Sequence, residues 1–193
     1  MPDHRRKRIG VLALQGDFEA HAKALDRAGA EALEVRSVEQ LQELDGLVIP
    51  GGESTTMLKL LNQEHLLDPL REFGQTRPIF GTCAGAILLA SRVTNPDQES
   101  LSLMDIDVER NGYGRQLDSR IARLKPEGLD RELEAVFIRA PIIKRVGEGA
   151  KVLAHYQGDP VLVEQGRHLV ATFHPELTSD PSVHRLFLEK VSG

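Results

Sequence analysis

Through the first half of the chain, short apolar runs alternate with amphipathic stretches. Residues 8–14 read as a buried strand that stops at Gln15-Gly16-Asp17. Residues 18–28 then place Phe18, Ala22 and Leu25 on one helical face, and Gly29 ends that helix. The alternation continues with a strand at 31–36, a short helix at 38–44 and a buried strand at 46–50. Helices at 54–61 and 65–73, a strand at 78–80 and a helix at 84–90 complete it. Strands apolar on both faces, separated by helices, predict a parallel sheet covered on both sides.

The second half changes rhythm. Strand-like runs follow at short spacing over 103–109, 119–124, 135–139, 151–156, 160–164 and 168–173, and a helical pattern returns only at 182–191. This predicts antiparallel strands added to an otherwise parallel sheet. The expected fold class is therefore α/β: three layers, doubly wound, mostly parallel. With no internal repeat or low-complexity linker, residues 1–193 read as one domain. Residues 95–100 and 125–131 are the expected mobile loops.

Composition narrows the classes of function. A net charge of −5 gives no basis for a nucleic-acid partner, which needs a clustered basic surface. One basic run, His4-Arg5-Arg6-Lys7-Arg8, precedes the apolar residues 9–14, a run too short for a secretory signal. No segment reaches the roughly 18 apolar residues of a membrane span. The single cysteine, Cys83, excludes an internal disulfide and suits a reducing compartment, so the cytoplasm is expected.

Three segments carry candidate chemistry. Residues 78–90 run from an apolar strand through Gly81-Thr82-Cys83-Ala84-Gly85 into an apolar helix. Glycines on both sides allow a sharp turn that exposes the central side chain, as in a nucleophile elbow with sulfur replacing oxygen. Cys83 would sit at a helix N-terminus, where thiolate is favoured, with the Ala84 N–H placed for an oxyanion. A lone cysteine is otherwise usually a small, inert, buried hydrophobe. At the last strand-like run, His174-Pro175-Glu176 in extended backbone would turn His174 and Glu176 to the same side. Nucleophile, base and orienter could thus be Cys83, His174 and Glu176. The plainer reading is a surface His-Glu pair near a turn. A metal site is disfavoured, because no third ligand has recognisable spacing. The third segment, Pro50-Gly51-Gly52-Glu53-Ser54, follows a strand and opens a helix. Gly51 and Gly52 could complete an oxyanion hole or cradle phosphate, although a P-loop lysine is missing. It is also simply a good helix start, with Ser54 as N-cap.

The GTCAG elbow and distal HPE resemble the triad glutamine amidotransferases. GVLALQGDFEAH at 10–21, PGGEST at 50–55, VERNGYGRQ at 108–116, FIRAP at 137–141 and FHPELT at 173–178 are similar to the glutaminase subunits of pyridoxal 5′-phosphate synthases. That resemblance runs from about Arg8 to the C-terminal helix. It implies a flavodoxin-like class I amidotransferase fold and a catalytic triad of Cys83, His174 and Glu176. It assigns L-glutamine binding to Gly52, Glu53 and Ser54, to Arg110, and to Ile138 and Arg139. It implies no cofactor, and a hetero-oligomer with a barrel-shaped synthase subunit that receives the ammonia. The chain departs from the pattern at Ile142-Ile143, where a histidine is expected after Ala140-Pro141, and in its basic start. A subunit serving another synthase, or a non-catalytic binding module on the same fold, are the rival readings.

Overall fold

The computed structural model describes residues 5–111 and 119–193. His4 and the 112–116 part of the VERNGYGRQ segment therefore lie outside the described residues. The first half builds β1 (Arg8–Leu12), α1 (Phe18–Arg27), β2 (Glu31–Val35) and β3 (Gly46–Ile49). It continues with α2 (Ser54–Gln63), α3 (Leu67–Thr76), β4 (Ile79–Thr82) and α4 (Ala84–Leu89). Then come β5 (Ala90–Thr94), β6 (Met104–Glu109), β7 (Ser119–Leu124), β8 (Leu133–Ile138) and β9 (Ile142–Val146). The chain closes with β10 (Lys151–Tyr156), β11 (Asp159–Gln165), β12 (His168–Ala171) and α5 (Ser182–Ser192).

Seven strands form the central sheet in the order β10-β11-β12-β4-β3-β1-β2. From β2 to β12 the pairing is parallel, whereas β11 and β10 add antiparallel strands at one edge. The parallel part has the 2-1-3-4-5 order of flavodoxin-like sheets, with β12 as its fifth strand.

The sheet sorts its side chains by the strand period of two. Leu47 and Ile49 of β3 enter one core and Val48 the other; Val170 and its neighbours Leu169 and Ala171 divide in the same way. One core joins the sheet to Met57, Leu61, Leu70, Phe73 and Leu88 of α2, α3 and α4. The opposite core joins it to Leu25 of α1, Val183 and Phe187 of α5, and Phe137 of β8. Helices on both faces complete the three layers.

Several expectations need correction. The helix expected at 38–44 is a single 3₁₀ turn, Val38–Leu41. The buried face of α1 is His21, Ala24 and Leu25, with Phe18 and Ala22 only half-buried. Not all the later strands join the main sheet. β5, β6 and β9 make a separate three-stranded sheet, and β7 with β8 a two-stranded one. β5 and β9 had no expected counterpart.

Candidate active site

The nucleophile candidate sits where β4 breaks into α4. Cys83 has φ 51° and ψ −106°, a left-handed conformation that a side chain adopts only under constraint. The constraint is visible: its N–H donates to Ala171 O of β12 at 2.9 Å, and its carbonyl accepts from Ile87 N at 3.2 Å. Gly85 lets α4 lie directly on β3, since a Cβ there would collide with the backbone carbonyl of Ile49. The sulfur is thereby lifted to the carboxyl edge of the sheet, where folds of this type place their sites.

His174 arrives from the end of β12, fixed by its N–H donating to Val136 O of β8 at 2.8 Å. The residues after it are not extended, contrary to expectation. Pro175–Leu177 is a 3₁₀ turn with proline at its start, because the ring's fixed φ suits the first turn of a helix. Glu176 still reaches its target: His174 Nδ1 donates to Glu176 Oε1 at 2.6 Å, and both residues are buried. Burial opposes protonation of His174, but hydrogen bonds to Cys83 and Glu176 outweigh it and raise its pKa to about 10. Sulfur, imidazole and carboxylate stand in series, the arrangement of a nucleophile, its base and an orienting anion.

Around this row lie the other expected residues. Gly51 touches it: a Cβ there would stand 2.7 Å from His174 Cε1 and 3.3 Å from Cys83 Cβ. The carbonyl of Ile138 lies 4.0 Å from Cys83 Sγ. The helix N-cap is Glu53 rather than Ser54: its carboxylate accepts from the N–H groups of Thr55 at 3.1 Å and Thr56 at 2.7 Å. Partial desolvation opposes ionisation of Glu53, but the bonds from Thr56 and Thr55 outweigh it and hold its pKa below the usual glutamate value. A carboxylate that reaches two N–H groups outcompetes the shorter hydroxyl for this end of α2. Ser54 is buried and its hydroxyl donates to Gln98 Oε1 at 3.3 Å. Arg110 reaches over the same helix end, bonding Thr55 Oγ1 at 2.6 Å and Glu53 Oε1 at 3.2 Å. Arg139 is exposed beside Ile138, at φ 46°, with no ion-pair partner among the described residues. Ala84 opens α4, so its N–H precedes the first intrahelical bond.

Sequence reasoning missed His21 and His184, which lie fully buried behind Glu176. The available signal was position: His21 occupies the α1 stripe with Ala24 and Leu25, and His184 the α5 stripe with Val183 and Phe187.

Residues 11–193 match the SNO glutamine amidotransferase family. The chain belongs to that family. Among relatives, pyridoxal 5′-phosphate synthase subunit PdxT of Solibacter usitatus (strain Ellin6076) is 64% identical over 191 residues, covering 96% of this chain and all (100%) of that protein. The subunit of the same name from Koribacter versatilis (strain Ellin345) is 56% identical, covering 95% of each chain. A solved glutamine amidotransferase superposes with a TM-score of 0.90 at 49% identity, over 96% of this chain and 99% of that one. A more distant likeness, to PurLQS from Thermotoga maritima, has a TM-score of 0.71 at 15% identity over 97% of this chain and 96% of that one, and speaks to the fold alone. Among the described residues, no helix of this amidotransferase is long and apolar enough to cross a membrane.

Proposed function

We propose that this chain is the glutaminase subunit of a pyridoxal 5′-phosphate synthase, acting as one cytoplasmic domain through Cys83, His174 and Glu176. The observation that carries the chemistry is the buried row in which Glu176 holds one nitrogen of His174 at 2.6 Å while His174 and Cys83 both border Gly51. The family match and the full-length relatives at 64% and 56% identity support the choice of reaction and pathway.

In this mechanism His174 takes the Cys83 proton, and sulfur attacks the side-chain amide carbon of L-glutamine. The tetrahedral oxyanion is met by N–H groups of Ala84 and of the Gly51-Gly52 loop. Collapse breaks the C–N bond as His174 returns its proton to nitrogen, releasing ammonia and leaving a γ-glutamyl thioester. Water, deprotonated by His174, adds to the thioester; the C–S bond breaks, and glutamate leaves with the thiol restored. Glu176 keeps His174 in the tautomer that presents its other nitrogen to sulfur and stabilises the imidazolium. Gly52, Glu53 and Ser54, with Ile138 and Arg139, frame the substrate. Arg110 braces Glu53, and the exposed guanidinium of Arg139 suits the substrate carboxylate. No cofactor enters these steps. Ammonia passes to a barrel-shaped synthase subunit in a hetero-oligomer.

The test is Cys83→Ala in the assembled synthase. Glutamine-dependent product formation is expected to vanish while synthesis from added ammonia continues. Substantial glutamate release by this variant would remove Cys83 from the reaction.

A further inference from the structure

Glu176 has two carboxylate oxygens, and the triad uses one. The other, Oε2, is buried without a hydrogen bond among the described residues and faces His21 Nε2 at 3.4 Å. That nitrogen also lies 3.1 Å from Oγ1 of Thr82, the residue before the nucleophile. The second nitrogen of His21, Nδ1, is 3.0 Å from Nε2 of His184. Nδ1 of His184 is again buried and without a partner among the described residues. Two imidazoles, from α1 and α5, thus stand in line behind the carboxylate that orients His174.

Burial opposes protonation of both rings. It lowers the pKa of His21 well below the usual histidine value, helped by His184 and His174, and that of His184 to about 4. Two neutral rings in series allow two proton arrangements. With the His21 proton on Nε2, the N–H bonds Thr82 Oγ1 and turns its positive edge to Glu176, and the bare Nδ1 accepts from His184 Nε2–H. The atom left over is then a bare lone pair on His184. With the proton on Nδ1, a lone pair of His21 faces the carboxylate oxygen, and His184 is left with a buried, unsatisfied N–H. The second arrangement sets two acceptors against each other and orphans a donor, the costlier kind of unpaired group. The Thr82 hydroxyl can donate or accept and so favours neither.

We infer that His21, held in its Nε2–H tautomer by His184, is a positioning residue for glutamine hydrolysis. Its Nε2–H, bonded to Thr82 Oγ1 at 3.1 Å, presents a positive edge to Glu176 Oε2 with Nε2 3.4 Å away, which opposes rotation of the carboxylate and so fixes His174 against Cys83. This rests on the triad reading. A neutral donor suits the task because it adds no positive charge to compete with the His174 imidazolium. His168 provides the contrast: its Nδ1 accepts from Ile79 N at 3.1 Å and its Nε2 donates to Gly74 O at 2.9 Å, so both nitrogens are used by backbone.

Two polar substitutions separate positioning from bulk structure. A glutamine amide nitrogen reaches about as far from the backbone as Nε2 of histidine, whereas an asparagine nitrogen reaches only as far as Nδ1. In the assembled synthase, His21→Asn is expected to lower kcat for glutamate release roughly 10- to 100-fold with little change in KM. His21→Gln, which keeps the donor, should recover most of that loss. Wild-type rates in both variants, or equal losses in both, would overturn the inference. His174→Asn measured alongside separates the two readings: if it retains activity the triad reading fails, whereas its loss with both His21 variants unaffected sinks the His21 role alone. Should the asparagine variant not fold, imidazole 15N NMR of the wild-type protein decides. His21 protonated on Nε2 and bare on Nδ1 at pH 7 is expected; the opposite tautomer, or a cationic ring, would refute it.

Discussion

His168, His184 and His174 are all buried, yet the fold treats their protons in opposite ways. Burial drives His168 and His184 down to about 4 from 6.5. A proton on Nδ1 of His168 would also confront the N–H of Ile79, which now donates to it. Between about 4 and 6.5 the unfolded chain therefore holds protons that the folded chain lacks, and stability must fall as pH drops through that window. His174 has the reverse sign. Its pKa is raised to about 10, so its contribution is complete below 6.5 and is lost as pH rises towards 10. Thermal melting across pH should show a maximum near neutrality, with each depressed histidine contributing on the order of 3 kcal/mol to the acid limb. His168→Gln should flatten that limb; a melting temperature that rises on acidification from neutral would contradict the assignment. Arg139 offers a second residue-scale expectation. Its exposed guanidinium at φ 46° has no ion-pair partner among the described residues, as a carboxylate clamp awaiting substrate requires. Arg139→Ala should raise KM for glutamine about 10-fold or more, the scale of one charge-assisted hydrogen bond, with Arg139→Lys intermediate. An unchanged KM in the folded alanine variant would return Arg139 to ordinary surface.

At the scale of elements, two glycines do different work, and alanine distinguishes them. Gly85 lies where α4 crosses β3, and an added methyl would meet the backbone carbonyl of Ile49. Backbone cannot step aside, so Gly85→Ala should destabilise the fold by about 2–4 kcal/mol, read as a lowered denaturation midpoint. Gly51 borders side chains: the methyl would stand 2.7 Å from His174 Cε1. Gly51→Ala should therefore displace the imidazole, cutting glutaminase activity by about 100-fold at near-normal stability. If Gly51→Ala unfolds the chain, or Gly85→Ala melts like wild type, the steric assignment is wrong. The elements themselves were legible in proportion to their burial. β1, β3 and β4 lie inside the sheet and are apolar but for Arg8 and Thr82 at their ends, so pattern alone located them. β5 and β9 escaped because each mixes charged with apolar residues and pairs with β6 in a sheet apart from the main one. That Cys83, His174 and Glu176 come together was legible because glycine spacing and a strand end announce it. The paired imidazoles behind Glu176 were not, since nothing local in sequence brings α1 and α5 together.

Viewed as a whole, the molecule places the proposed reactive centre on an edge open to a partner. Cys83 and His174 are buried, but Gly52 and Glu53 beside them are exposed, as are Gly16 and Asp17 of the neighbouring loop. The two loops are joined by the Glu53 N–H donating to Gln15 Oε1 at 3.0 Å. That bond commits one of the loop's N–H groups elsewhere, so the donors left to the proposed oxyanion hole are the Gly51-Gly52 peptide and Ala84. The carbonyl of Ile138, 4.0 Å from Cys83 Sγ, is an acceptor and cannot stabilise an oxyanion. A peptide between two glycines reorients at little steric cost, and one turned the wrong way donates nothing to the intermediate. Loss of a single oxyanion donor costs about 10²–10³ in rate, enough to silence a free subunit. Pressed on Gly52 and the Gln15 loop, a synthase surface would favour the donating orientation by binding it more tightly, a shift of population set by differential affinity. Such coupling would prevent glutamine from being spent when no acceptor for ammonia is present. The isolated chain should therefore release glutamate at least about 10²-fold more slowly than the assembled synthase at saturating glutamine. Equal rates would remove the loop switch while leaving the roles of Cys83, His174 and Glu176 untouched.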